Sequence, residues 1–412
     1  MSKLPLRARL ATGLGGAAGR VSRLTGRGDG SVIGGVLGLR VEPDLLRLLA
    51  ADRQVILVSG TNGKTTTTRL ITAALGALGQ QVASNAFGAN MAAGLASALG
   101  RAPQALYAVL ETDERYVPAV IDATSPRIVT LLNLSRDQMD RAAEIWLIAR
   151  RWREALAVAP GTLVIANADD PLIAWAAGAA KQVTWVAAGQ RWHEDSWCCP
   201  ECGSHLSRNG ADWRCHECSF GRPRTPWALD GEAVIDPQGR RRDLNLALPG
   251  RANRSNAVIA LAVADVFGVT PDQALPLLRE VKSVAGRYTV VPRGGCTVRL
   301  LLAKNPAGWL EAFDVLAAGD GPVLLSVNAQ IPDGKDTSWL WDVDYRLLRS
   351  RPVYVSGERR LDLAVRLEAD EVEFELTDGL DDVVDRIQAG ELDVIANYTA
   401  FQQIRTLVGR SD

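Results

Sequence analysis

The stretch Val55-Ile56-Leu57-Val58-Ser59-Gly60-Thr61-Asn62-Gly63-Lys64-Thr65-Thr66-Thr67 decides the fold. Its apolar run, rich in β-branched residues, suits a strand buried on both faces; a Gly-bearing turn follows, and Lys-Thr-Thr opens a helix. Backbone N–H groups at such a helix start, with the positive end of its dipole, can surround a polyphosphate. Gly60, Thr61, Asn62, Gly63 and Thr66 would form the cradle, Lys64 would place a point charge on the terminal phosphates, and the Thr65 hydroxyl would hold Mg²⁺. The usual G-x-x-x-x-G-K-[ST] spacing puts its first Gly at position 58, which is Val58 here, so the turn is a shortened variant. A second glycine pattern, Gly13-Leu14-Gly15-Gly16-Ala17-Ala18, formally matches a dinucleotide fingerprint. No strand precedes it, because Lys3 to Thr12 reads as a basic helix, and it is discounted.

Working outward, further short apolar runs, Leu106 to Leu110, Ile128 to Leu132, Leu163 to Ala166 and Val183 to Val186, alternate with helical segments at Lys64 to Leu78, Ala89 to Leu99 and Arg141 to Val158. This rhythm predicts an α/β fold with a wound parallel sheet. Such sheets bind ligands beyond the carboxyl ends of their strands. Those ends carry Glu111, Asp113 and Glu114, then Asn133, Arg136, Asp137 and Asp140, then Asn167, Asp169 and Asp170. Glu111 is the expected Mg²⁺ ligand; Asp169 and Asp170, before Pro171, fit helix capping equally well. The turn Asp236-Pro237-Gln238-Gly239 predicts a hairpin between Ala233-Val234-Ile235 and Leu244 to Leu248, and a helix follows over Asn253 to Phe267. Beyond about Val290 a second α/β series begins, with strands expected at Val298 to Ala303, Val323 to Val327, Val353 to Ser356, Val372 to Leu376 and Val394 to Ala396. The expected organisation is a basic, Gly-rich, partly ordered lead-in with a short helix at Pro43 to Leu49 (1–50), a nucleotide-binding domain (51–290), and a smaller Rossmann-like α/β domain (291–412).

The 412 residues are 47% hydrophobic, enough to fill the cores of two or three domains. Lys and Arg number 46 against 47 Asp and Glu, so no global field draws the chain to nucleic acid or an acidic bilayer. Arginines interrupt every apolar run near the N-terminus before it reaches signal-peptide length, so a cytoplasmic location is expected. Five of the six cysteines fall between Cys198 and Cys218. Cys199-x-x-Cys202 and Cys215-x-x-Cys218 form two knuckles, which together make a closed four-thiolate site for structural zinc in an insertion over 190–226. Cys198 and His216 are spare ligands that could replace a neighbour. Arg208, Arg214, Arg222 and Arg224 with Trp213 and Trp227 would suit a nucleic-acid ribbon, but such residues more often form the surface and small core of a module this size.

Taken together, Gly60 to Thr66, Asn133 to Arg141, Asn167 to Pro171 and Gly250 to Asn256 resemble the central ATPase domain of the Mur ligase family, which activates a carboxylate as an acyl phosphate and joins it to an amine. The four-cysteine insertion, Lys304-Asn305-Pro306-Ala307-Gly308 and Asp333-Gly334-Lys335-Asp336-Thr337-Ser338-Trp339 resemble an amidating branch of that family. The resemblance implies ATP, Mg²⁺ and zinc as cofactors, and amidation of the D-glutamate α-carboxylate of lipid II, in peptidoglycan synthesis. It places Asn256 on the adenine side, Arg287 on the transferred phosphoryl group, and Lys304 and Asn305 at the acyl site. Asp137-Gln138 stands where amino-acid-adding members often have an acidic residue and His, so their metal and carbamate details are not carried over. The uridine-nucleotide domain of those members also looks absent, which suits a lipid-linked substrate and at most peripheral membrane contact.

Amidation needs ammonia, which amidases make from glutamine with a thiolate oriented by His and a carboxylate. Outside the cysteine cluster the chain has one cysteine, Cys296, expected to be a buried inert thiol, and no histidine near it. The resemblance supplies a GatD-type glutaminase subunit as heterodimer partner, with Asp336 reaching across to complete its Cys-His triad; the bland alternative for Asp336 is a helix cap near Trp341 to Leu348. Two other readings stand beside this one: a stand-alone Mur-like or folylpolyglutamate-type ligase adding an amino acid, and a non-catalytic zinc-ribbon ATPase on nucleic acid.

Overall fold

The computed structural model describes residues 4–24, 31–85, 89–137, 144–284, 288–317 and 319–408. They form two compact units, the first holding residues up to Leu134, Glu144–Leu248 and Ala252–Lys282, and the second everything from Ser283 onward together with Ser135, Arg136, Asp137 and Pro249–Arg251.

The first unit opens with helices α1 (Leu6–Leu24), α2 (Ser31–Val41) and α3 (Leu45–Ala50), then alternates β1 (Gln54–Ser59), α4 (Lys64–Leu75), β2 (Val82–Ser84), α5 (Ala92–Arg101), β3 (Tyr107–Glu111), α6 (Val117–Thr124), β4 (Ile128–Leu131), α7 (Ile145–Ala157), β5 (Leu163–Asn167), α8 (Pro171–Ala177) and β6 (Gln182–Ala187). The insertion contributes a hairpin, β7 (Leu206–Asn209) and β8 (Asp212–Cys215); β9 (Trp227–Asp230), β10 (Ala233–Ile235), β11 (Arg241–Asp243), α9 (Arg251–Asp265) and α10 (Pro271–Arg279) follow. Nine strands pair in the order β11-β10-β9-β6-β5-β4-β1-β3-β2. The seven from β2 through β9 run parallel, and β10 and β11 turn back antiparallel.

The apolar run of β1 is continuous because both of its faces are covered. Val55 and Leu57 enter a cluster with Leu45, Leu95, Val117, Trp152 and Ile173. Alternation puts Ile56 and Val58 on the other face, where they are equally buried. Strand order reverses at β1, which has β3 on one side and β4 on the other, and this leaves the crevice for a ligand beyond its carboxyl end.

The described residues of the lead-in are largely helical, more regular than its composition suggests. Its glycines mark close approaches, not slack chain: a Cβ on Gly15 would lie 2.4 Å from the carbonyl oxygen of Gly34, and one on Gly35 would lie 1.7 Å from that of Ala93. Gly13 to Ala18 lies inside α1, so the dinucleotide fingerprint has no strand and no turn. The expected hairpin also needs correction, because β10 pairs with Arg241–Asp243 and not with Leu244 to Leu248. The Asp236 carboxylate accepts from the N–H groups of Gln238 and Arg240, which closes the turn early and brings the chain back at Arg241.

The second unit contains β12 (Tyr288–Arg293), β13 (Cys296–Leu302), α11 (Pro306–Leu316), β14 (Val323–Ser326), β15 (Val353–Ser356), α12 (Arg360–Ala369), β16 (Glu375–Leu376), α13 (Leu380–Ile387), β17 (Gly390–Ala396) and α14 (Tyr398–Val408). Its sheet order is β12-β13-β17-β14-β15-β16, parallel except for β12. Of the strand expected at Val372 to Leu376, only the last two residues pair; Val372 is buried beneath the end of α12. Where a helix was expected near Trp341 to Leu348, the chain makes two short 3-10 turns, Ser338–Asp342 and Arg346–Leu348.

Candidate functional site

The crevice beyond β1 is built by the shortened glycine turn. Gly60 and Gly63 have φ of 146° and 86°, the second as the N-cap of α4, and these values favour residues without a Cβ. A Cβ on Gly63 would meet the Asn256 Oδ1 at 2.7 Å, so α9 supplies the wall opposite the turn. Asn133 braces the turn from the end of β4: its Oδ1 accepts from the Asn62 N–H at 2.9 Å, its Nδ2 donates to the Asn62 carbonyl at 3.1 Å, and its own carbonyl accepts from the Thr61 N–H. Because the first N–H groups of an α-helix have no acceptor within the helix, the first turn of α4 presents donors to this crevice.

Lys64 is only 4% exposed. Its ammonium donates to the carbonyls of Gly60 and Thr61 and to Glu114 Oε1 at 3.0 Å. Thr65 donates to Glu111 Oε2 at 2.8 Å. Two carboxylates, Glu111 at the last position of β3 and Glu114 three residues beyond it, therefore face the two side chains that open α4. Asn85 fixes this edge: its Nδ2 donates to the Glu111 carbonyl and its Oδ1 accepts from the Glu111 N–H, both at 2.8 Å. The Trp152 indole N–H holds the carbonyl of Glu114. Thr65 and Glu111 offer neighbouring buried oxygens, the donor type that Mg²⁺ prefers. The Lys64 partnership of Glu114 and the clamp of Asn85 carry no motif; the visible signals were an acidic residue three past a strand end and an Asn directly after a very short strand.

The other strand-end acids have structural work. Asp170 caps α8, accepting from Leu172 and Ile173, and also takes the Leu134 N–H. Burial pushes its carboxyl above the usual range, against those hydrogen bonds. Asp169, also buried, accepts from both Nε and Nη2 of Arg222 on its Oδ1 at 2.9 and 2.6 Å, and from the Gly189 and Gln190 N–H groups on its Oδ2, tying the insertion to the end of β5.

In the insertion the Sγ atoms of Cys199, Cys202, Cys215 and Cys218 all lie within 4.8 Å of one another, with Cys199 to Cys218 at 3.7 Å and Cys202 to Cys215 at 3.4 Å. A tetrahedral thiolate site with metal–sulfur bonds of ~2.3 Å has sulfurs roughly 3.8 Å apart, so the four side chains fit a metal ion. Cys198 and His216 stand outside this group: Cys198 is exposed and bridges to His205, whose ring His216 stacks against. The hairpin docks through Trp213, fully buried among Ala174, Leu206 and Cys199, with its indole N–H on the Ala168 carbonyl. Arg208 donates to Ser196 and Arg222 to Asp169, and Trp227 is buried in β9, so these three side chains serve the packing of this region, while Arg214 and Arg224 are exposed. His193 nearby is held down to about 4 by burial and the Arg208 charge.

The second unit gathers the remaining expected residues. Lys304 donates to Asp137 Oδ2, while Asp137 Oδ1 is buried with no hydrogen-bond partner among the described residues. Arg136 pairs with Asp342 at 3.3 Å. These side chains line one small cavity with Asn305 and Asp336. Asn305 is buried and uses its Oδ1 to cap α11 through the Gly308 N–H at 2.9 Å. Asp336 is exposed, and one of its oxygens accepts from the Ser338 N–H at 2.8 Å. Cys296 is buried in the core with Val298, Leu392 and Phe401, as expected for an inert thiol. Arg287 and Asp140 lie outside the described residues.

The Mur ligase middle domain matches residues 58–264, and the MurT ligase C-terminal region matches 302–401. The chain belongs to the Mur ligase family, and it is an ATP-dependent ligase. Within that family it is similar to the MurT subunit of the glutamine-hydrolysing lipid II isoglutaminyl synthase. The protein of that name from Staphylococcus aureus is 30% identical over 86% of both chains, and that from Streptococcus pneumoniae is 29% identical over 97% of both. Among solved structures, a pseudomurein peptide ligase type C from Methanothermus fervidus shares the fold, with a TM-score of 0.68 at 18% identity over 90% of this chain and 81% of that one. No helix among the described residues is long and apolar enough to cross a membrane.

Proposed function

We propose that this chain is the synthetase subunit of a two-subunit enzyme that converts the α-carboxylate of D-glutamate in the lipid II stem peptide to the amide of D-isoglutamine. The observation that carries this reading is similarity to MurT subunits over nearly the full length, through both units. A carboxylate is a poor electrophile, so one of its oxygens first attacks the γ-phosphorus of ATP. The new O–P bond replaces the bond to the β-phosphate bridge, and ADP leaves with that electron pair. Ammonia then attacks the acyl carbon, phosphate departs with the C–O electrons, and a proton leaves nitrogen.

The Gly60 to Thr66 turn holds the phosphates through the N–H groups at the start of α4, those of Thr61 and Asn62 being taken by Asn133, and Lys64 exchanges Glu114 for phosphate oxygens as charge accumulates there. Thr65 and Glu111 hold Mg²⁺, which supplies further neutralisation of that charge when bound. Asn256 contacts the nucleotide from α9 on the adenine side, and Arg287 the transferred phosphoryl group. Lys304 and Asn305 face the acyl group in the second unit. The four cysteines hold zinc as a structural ion.

A GatD-type glutaminase supplies ammonia, and the exposed Asp336 completes its Cys-His pair. The test uses the purified chain with such a glutaminase, ATP, Mg²⁺, glutamine and lipid II, read by mass spectrometry of the stem peptide. Acid-to-amide conversion that needs ATP and is lost in Lys64→Ala supports the reading. Addition of a free amino acid without the partner would replace it with that of a stand-alone ligase.

A further inference from the structure

We propose that the N-terminal helices dock the protein on an anionic lipid bilayer through an apolar stripe on α1 flanked by arginines. In α1 the inward face is Ala8, Ala11, Gly15 and Gly19, all buried. On the outward side, Leu6, Leu10, Leu14 and Val21 follow one another at helical spacing with relative exposures of 71, 56, 49 and 59%. Exposed single leucines are ordinary, but a row of them along one helix is not. Val32, Ile33 and Val36 of α2 are exposed as well. The glycine contact between α1 and α2 lets the backbones touch, so the large side chains of both helices are spent outward and not on each other.

The charge pattern selects the occupant. Residues 1–41 carry seven Lys or Arg against a single Asp, in a chain whose net charge is −1. Neither α1 nor α2 contains an acidic residue. Arg9 and Arg20 are exposed on α1 beside the stripe. They also line, with Arg101, a cavity of about 610 Å³ between α1, α2 and α5. A second copy of this face would set like charges against each other, whereas a bilayer of anionic lipid offers acyl chains to the stripe and headgroup phosphates to the arginines. The helix lies in the plane of the interface and does not span it.

The test uses the full chain and vesicles of phosphatidylglycerol with phosphatidylcholine, against vesicles of phosphatidylcholine alone, read by co-sedimentation. The wild type sediments with the anionic vesicles and is released by salt. Arg9→Ala with Arg20→Ala weakens binding about 25-fold at low salt, at about fivefold per basic residue. Leu6→Asp with Leu10→Asp and Leu14→Asp abolishes it at every salt concentration, while thermal unfolding and ATP binding stay at wild-type values. If that triple variant fails to fold, the arginine pair and the salt series decide. Equal binding to both vesicles, no binding to the anionic ones, or self-association of the wild type that vesicles do not reverse would overturn the proposal. No substrate enters this measurement, so its outcome is separate from that of the amidation assay.

Discussion

Gly63→Ala tests the nucleotide turn at the atom where it is tightest. Gly63 sits at φ 86°, where an L-residue pays about 1–2 kcal/mol, partly offset by a stiffer unfolded chain. The new methyl would also arrive 2.7 Å from the Asn256 Oδ1 and 3.3 Å from its Cγ. Asn256 is buried in α9, so it must leave its rotamer, at a further ~1 kcal/mol. The expected loss is about 2 kcal/mol in all. Asn256→Ala removes the obstructing oxygen but not the backbone strain. In that background Gly63→Ala should therefore cost about 1 kcal/mol less, a coupling well outside the ~0.3–0.5 kcal/mol scatter of independent sites. The assay is urea unfolding of the four proteins of the cycle, with ATP binding by calorimetry. ATP affinity should fall with Gly63→Ala and should not return in the double variant, because the turn stays distorted. Strictly additive stabilities would refute the contact between α9 and the turn, and with it the enclosure of the crevice.

Asp336→Asn should lower glutamine hydrolysis by the assembled complex far more than ATP binding by this chain; an unchanged glutaminase rate would remove Asp336 from the partner's triad. Metal analysis should find about one zinc per chain, and Cys202→Ser should lose both the metal and solubility, since binding at such sites contributes an apparent ~10 to 16 kcal/mol; a folded, metal-free wild type would refute this. His193, held down to about 4, binds fewer protons folded than unfolded between its ordinary value of 6.5 and about 4. Its contribution is fully present above pH 6.5 and is lost as pH falls toward 4. His193→Gln should flatten that part of the urea midpoint against pH, and superimposable curves would show that it does not titrate as described.

How much was legible in the sequence depended on whether burial was two-sided. The runs at Val55, Ile128 and Val353 are covered on both faces, and their strands fall within a residue or so of the expected ends. The edge strand β12 was not visible, because it alternates in burial and contains Pro292, which only an edge tolerates well. The cysteine spacing gave the four-thiol cluster directly, since two knuckles bring their sulfurs together with little help from the rest of the chain. In contrast, Asn85 reaches Glu111, and Arg222 reaches Asp169, across 26 and 53 residues of sequence. Such pairings depend on sheet order, which no local pattern encodes. Glycines misled in the lead-in for the same reason: a glycine chosen for contact looks the same in sequence as one chosen for freedom.

The position of the cysteine hairpin within the chain has a consequence for biogenesis. It occupies the crossover between β6 and β9, which are adjacent and parallel, a connection that other α/β proteins make with a helix. Until that crossover folds back and brings β9 beside β6, β6 presents a bare row of amide and carbonyl groups to any other chain, and β10 and β11, which pair outward from β9, have no strand to extend. If the four cysteines take up zinc as proposed, metal supply during translation would bear on whether the sheet is finished or recruits its neighbours into aggregates, and zinc starvation would be a problem of protein quality.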